Sequence, residues 1–177
     1  ADEFGYRLVI NHGTEAHLIA DYLAERDLPV VIGPLLTSRS KLEVNQRSIA
    51  NPGRLAAAGV KIAITTDAPV IPINLLNVQA ALAIKEGLDR DTAMKSVTLW
   101  PAEIMGLNDR VGSIAAGKDA DLVLWDRDPM QATARAMRVW SSGREVYHYD
   151  VDLAEGITLD PYSTLGSTVA APEKGRR

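Results

Sequence analysis

An α/β fold built on parallel strands, with a smaller β region after it, is what three features of the sequence predict. Apolar runs alternate with helix-patterned segments in the order βαβαβα. Those runs are near-continuous in Val, Ile and Leu, as parallel strands buried on both faces require. From Val111 onward the pattern changes to short strands punctuated by Gly, Asp and Pro.

The elements follow in chain order. Arg7-Leu8-Val9-Ile10-Asn11 is a short apolar strand ending at His12-Gly13. Thr14 then opens a helix in which Ala16, Ile19, Ala20, Leu23 and Ala24 recur at helical spacing. Leu28-Pro29-Val30-Val31-Ile32 is a second strand, stopped by Gly33-Pro34. A short helix covers 51–58, and Val60 to Thr65 is a third strand ended by Thr66-Asp67-Ala68-Pro69. Asn74 is expected to cap a helix that runs to Glu86 and stops at Gly87; Asp91 caps the next, to Leu99, and Pro101 starts a third.

In the β region, VGSIAAGKDADLVLWDRDP from Val111 to Pro129 reads as a hairpin. Gly112 and Gly117 frame a turn, and Asp119, Asp121 and Asp126 alternate with the apolar run Leu122 to Trp125. Met137 to Trp140 leads through Ser141-Ser142-Gly143 to Glu145-Val146-Tyr147, and the whole reads as a small β-sandwich element. Few periodic apolar positions follow Asp150. Residues 1–109, 110–149 and 150–177 are therefore expected to be an α/β part, a β part, and a tail or extension that packs on a partner.

At 177 residues and 19.1 kDa the chain can bury a core. A formal charge of −4 and a pI near 5.4 argue against a nucleic-acid partner, which needs a concentrated basic surface. With no cysteine, any metal must sit on His and carboxylate ligands. No apolar run approaches the roughly 20 residues of a membrane span, and no signal pattern opens the chain. A cytoplasmic protein without a membrane partner is the expectation.

The three strand ends bear His12, Gly33-Pro34 and Asp67. A histidine and an aspartate at strand ends would both be satisfied by a divalent metal, whereas a buried polar group without a partner is costly. The plainer reading is a hydrogen-bonded core or capping histidine and an aspartate in a turn. His17 reads as a solvated helix residue sharing a face with Asp21, and His148 as structural or exposed. Asp119, Asp121, Asp126 and Asp128 lack the twelve-residue calcium loop with its terminal Glu, so turn chemistry explains them.

Together with TLWPAEIMGL from Thr98 to Leu107, the Val111 to Pro129 stretch resembles the C-terminal signature of the metal-dependent amidohydrolase superfamily, in its imidazolonepropionase-like branch. The resemblance implies strands six to eight of a TIM-type (β/α)8 barrel, ending at Asn11, Ile32 and near Thr66, followed by part of a composite β-sandwich. It implies that His12 is a metal ligand, and that Asp67 both binds metal and takes a proton from the attacking water. It places Arg39, in TSRSKLE, in a loop that contacts substrate, where a carboxylate-bearing substrate would suit it. Zn²⁺ is the expected ion, and the expected reaction is hydrolysis of a C–N bond in an amide, cyclic amide or peptide-like substrate.

Two positions depart from the pattern. Ala68 stands where relatives in that branch carry histidine, and the TxNPA motif is here Thr98-Leu99-Trp100-Pro101-Ala102. The HxH pair of strand one, the acidic or carboxylated-lysine ligand of strand four and the histidine of strand five have no counterpart in the chain. A complete barrel takes about 250 residues. The expectation is that another chain supplies the N-terminal half of the barrel, in an oligomer in which the segment from Asp150 contacts a neighbour. A non-catalytic structural or interaction fragment of the same fold is the alternative.

Overall fold

The computed structural model describes residues 2–37 and 44–160. Two compact units divide the chain, a first up to Ser113 joined by Met130–Ala132, and a second over Ile114–Pro129 and from Thr133 onward.

In the first unit, β1 (Val30–Ile32) and β2 (Ile62–Ile64) pair in parallel, with Val30 opposite Ile62 and Ile32 opposite Ile64. On the other side of β1, Ile10 bridges to Val30, also in parallel. The Ile10 N–H donates to the Pro29 carbonyl and the Val31 N–H donates to the Ile10 carbonyl. The strand expected over 7–11 is reduced to that bridge. Tyr6 and Leu8 are exposed, and the Arg7 guanidinium donates to the Ile104 carbonyl. Among the described residues, no strand pairs with the outer edge of β2 or of the Ile10 segment.

Helices cover one face of these strands: α1 (Ala20–Glu25), α2 (Asn51–Ala57), α3 (Leu76–Lys85), α4 (Arg90–Ser96) and α5 (Leu99–Met105). Side chains alternate along a strand, so Val30, Ile32, Ile62 and Ile64 share the helix side. They form one core there with Leu23, Leu55, Leu88, Ala80 and Ala83. Full burial of each large aliphatic chain contributes about 1.5–3 kcal/mol. Val31 and Ala63 face the other way, and Val31 is only half-buried.

Several helix boundaries differ from expectation. Asn74 does not cap α3; it sits within a 3-10 turn over Ile73–Leu75, and the N-cap position is Leu75, without a side-chain bond. Asp89, not Asp91, caps α4. Its backbone is extended and its carboxylate accepts the Thr92 N–H at 2.9 Å, the geometry a cap needs, while Asp91 already lies inside the helix. These bonds from Thr92 hold the Asp89 carboxyl below its ordinary range. Pro101 occupies the third residue of α5, whose C-terminal stop is Gly106 in the left-handed region.

Gly33 is required at the end of β1. Its φ is +148°, and a Cβ built there would lie 2.0 Å from the Thr65 carbonyl oxygen. Gly33→Ala combines backbone strain with a clash against backbone that cannot rotate away, and is expected to cost about 3 kcal/mol or more. A lowered urea midpoint with unchanged slope checks this.

The second unit is a single antiparallel sheet in the order β3 (Leu122–Trp125), β4 (Ala136–Ser141), β5 (Arg144–Asp150), β6 (Glu155–Thr158). The hairpin expected within 111–129 is not formed there, because β3 pairs with β4 and the Gly112 to Gly117 segment holds no strand. Gly112 instead packs against α5, with a Cβ position 2.6 Å from the Ala102 Cβ. Ser142 and Gly143, with φ of +49° and +76°, form the two-residue turn between β4 and β5. The sheet also extends beyond 149: β6 pairs with β5, so 150–158 is sheet and turn, not a tail. The turn aspartates are occupied by local bonds. Asp121 accepts the Ser142 N–H, Asp150 accepts the N–H groups of Asp152 and Leu153, and Asp126 binds Arg127 and the Arg135 N–H, which hold its carboxyl low.

Candidate functional site

His12 and Asp67 stand at the carboxyl ends of the two strand segments that flank β1, two residues beyond Ile10 and three beyond Ile64. Each has its backbone in the left-handed region, with φ of +52° and +53°. For residues with a Cβ this conformation is uncommon, and it persists where the surroundings fix it. The Asp67 turn is held by its own backbone. Its N–H donates to Thr65 Oγ1 at 3.2 Å, and its carbonyl accepts the Val70 N–H at 2.9 Å. The His12 turn is held against β1, where the Gly13 N–H donates to the Val31 carbonyl and a Cβ on Gly13 would overlap Val30.

The two side chains meet with His12 Nε2 3.8 Å from Asp67 Oδ1, each partly open to solvent. His12 Nδ1 lies 3.1 Å from the Gly33 carbonyl oxygen. A carbonyl only accepts, so the Nδ1 proton is assigned to that bond, leaving the Nε2 lone pair toward Asp67 when the ring is neutral. Two electron-pair donors then face each other beyond hydrogen-bond distance. A further proton or a cation satisfies them both. Ligand bonds of about 2.0–2.2 Å from each would fit a 3.8 Å separation, and an imidazole whose other nitrogen is fixed by a carbonyl is the usual metal-binding arrangement. The residues present therefore fit a divalent ion as two of its ligands. Among the described residues no group of three or more His, Asp or Glu side chains could hold one.

The remaining sequence candidates separate. Arg39 lies outside the described residues. His148 is in β5 of the second unit, with Nδ1 3.9 Å from Glu145 Oε1. His17, expected to be solvated, has Nδ1 buried without a hydrogen-bond partner among the described residues, because it sits on a 3-10 turn packed beside α2. A cavity of about 610 Å³, which neither His12 nor Asp67 lines, is bounded by Gly33, Pro34, His17, Ser48, Arg47 and Arg54 among others. These arginines, and the buried amide of Asn51, carried no signal in spacing or motif. A second hollow, of about 690 Å³, is bounded by His12, Ile10, Leu18, Ile19 and Leu23.

The amidohydrolase family profile matches residues 19–147. An amidohydrolase structure from Thermotoga maritima MSB8 superposes with a TM-score of 0.80 and 47% identity, over 84% of this chain and 39% of that one. A zinc-bound adenosine deaminase structure from Xanthomonas campestris gives a TM-score of 0.61 and 28% identity, over 82% of this chain and 38% of that one. An imidazolonepropionase of Shewanella frigidimarina is 26% identical over 174 residues, 97% of this chain and 34% of its own length. The chain spans between 8% and 34% of the length of the curated relatives it matches.

Proposed function

The chain belongs to the amidohydrolase family, and we propose that it forms strands six to eight of a TIM-type (β/α)8 barrel and one sheet of a composite β-sandwich in an enzyme that hydrolyses a C–N bond. The observation that carries this is the convergence of His12 Nε2 and Asp67 Oδ1 at the ends of the two strand segments that flank β1, with His12 Nδ1 fixed by Gly33. The substrate class is an amide, cyclic amide or peptide-like molecule, in keeping with the reactions named for the relatives.

His12 and Asp67 would hold a divalent ion, with Zn²⁺ favoured by the zinc-bound deaminase neighbour. When bound, such an ion lowers the pKa of water toward neutrality and polarises the carbonyl under attack. The chain's own residues do the rest. Gly33 keeps the proton on His12 Nδ1 and aims the ring. Asp67 takes a proton from the attacking water and returns it to the leaving nitrogen, which must be protonated to depart as an amine or ammonia. Arg47 and Arg54 place positive charge in the cavity lined by Gly33 and Pro34, where a carboxylate of the substrate can be held, and Arg39 is assigned to the same task.

The remaining ligands and barrel strands come from polypeptide outside this sequence. In support, the outer edges of β2 and of the Ile10 segment have no strand partner among the described residues, and the hollow beside His12 is lined by Ile10, Leu18, Ile19 and Leu23. The enzyme containing this chain is expected to release ammonia or amine from at least one member of a panel of amides, cyclic amides, aminopurines and dipeptides. Chelation should abolish the activity and zinc should restore it. Full activity in exhaustively chelated, zinc-free enzyme would overturn the metal reading.

A further inference from the structure

We propose that Asn51 is a positioning residue for the His12 loop, a role that rests on the metal reading of His12 and Asp67. Asn51 is the first residue of α2 and is 1% exposed. An asparagine at a helix start ordinarily caps its own helix, but this one bonds elsewhere. Its Nδ2 donates to the Gly13 carbonyl at 2.7 Å and to the Thr14 carbonyl at 3.1 Å, and its Oδ1 accepts the His17 N–H at 3.0 Å. Both amide protons and the amide oxygen are thus spent on three backbone groups in the five residues after His12.

That arrangement answers a mechanical problem. His12 has φ of +52°, and a non-glycine residue held there relaxes toward negative φ unless the following backbone is fixed. Such a relaxation would swing the imidazole away from Asp67. The loop is tied to β1 through the bond from Gly13 to Val31, but nothing on β1 holds Thr14 or His17, and Asn51 does. The anchor itself is firm. Pro52 follows Asn51, the Asn51 N–H donates to the Ser48 carbonyl, and a Cβ on Gly53 would lie 3.2 Å from the Leu88 nitrogen, so α2 is seated closely against that turn. Ala replacing Asn51 leaves the Thr14 carbonyl and the His17 N–H without this partner.

The test is a double-mutant cycle on the enzyme containing this chain, reading zinc affinity by competition with a chromophoric chelator. Asn51→Ala is expected to weaken zinc binding 10- to 100-fold, the usual effect of losing a group that orients a ligand. In a His12→Ala background the same change should weaken it less than twofold further, because the ring it orients is gone. Asn51→Ala that binds zinc like the wild type, or that loses the same factor in both backgrounds, overturns the proposal, since a merely structural amide would act independently of His12. If Asn51→Ala yields no folded enzyme, Asn51→Ser enters the same cycle with the same two outcomes. His12→Ala with undiminished zinc affinity would remove the metal reading itself, and the positioning role with it.

Discussion

Asp67→Asn is expected to lower kcat by about 10²- to 10⁴-fold while leaving the fold and most of the metal affinity in place, the loss a positioned proton-transfer group typically causes. The fold should survive for local reasons. The Asp67 turn is held by its backbone bonds to Thr65 and Val70, which do not involve the carboxylate. Asparagine is among the residues best tolerated at the left-handed φ of +53° found there. It is also nearly isosteric with aspartate and keeps one oxygen toward His12. What it lacks is a site to receive the proton from water and pass it to the leaving nitrogen. The check is steady-state kinetics on zinc-loaded enzyme with the zinc content measured alongside. A variant that turns over at the wild-type rate would leave Asp67 as a turn residue. It would also favour the non-catalytic alternative, for which Ala68 is the other sign.

His12→Ala should have a different signature, with zinc and activity lost together and activity partly restored by excess metal. The substitution removes the proposed Nε2 ligand and the bond from Nδ1 to Gly33 in one step. It also places alanine at φ of +52°, which adds roughly 1–2 kcal/mol of strain. His12→Asn, whose side chain tolerates that conformation, separates the two effects: it should match the alanine variant in zinc loss but exceed it in thermal stability. Zinc content per protein, from elemental analysis after gel filtration, distinguishes His12, whose removal empties the site, from Asp67→Asn, whose site stays loaded.

How much of this the sequence carries depends on the range over which each signal acts. The parallel β1 and β2, the core of Val30, Ile32, Ile62 and Ile64, and the Gly33 stop follow from near-continuous apolar runs and a residue with no Cβ. His12 and Asp67 could be picked out because strand ends are where polar residues gain access to a shared rim. Caps were less legible. Asp89 and Asp91 are both plausible N-caps in sequence, and only the extended backbone of Asp89 decides between them. The partner of β3 is not legible in the sequence, because Gly112 and Gly117 carry a strong turn signal while register is set by pairing with residues 136–140, beyond a longer loop. Asn51 was invisible for the same reason at longer range. Its three partners lie 34 to 38 residues earlier, and no local pattern encodes such a contact.

The most direct measurement is anomalous diffraction at the zinc edge from crystals of the enzyme that contains this chain. The expected result is a peak about 2.0–2.1 Å from His12 Nε2, with a carboxylate oxygen of Asp67 coordinated to it or hydrogen-bonded to a water that is, and with His12 Nδ1 still on the Gly33 carbonyl. An active enzyme whose zinc peak lies out of reach of both side chains, or in which His12 and Asp67 turn away from each other, would contradict it.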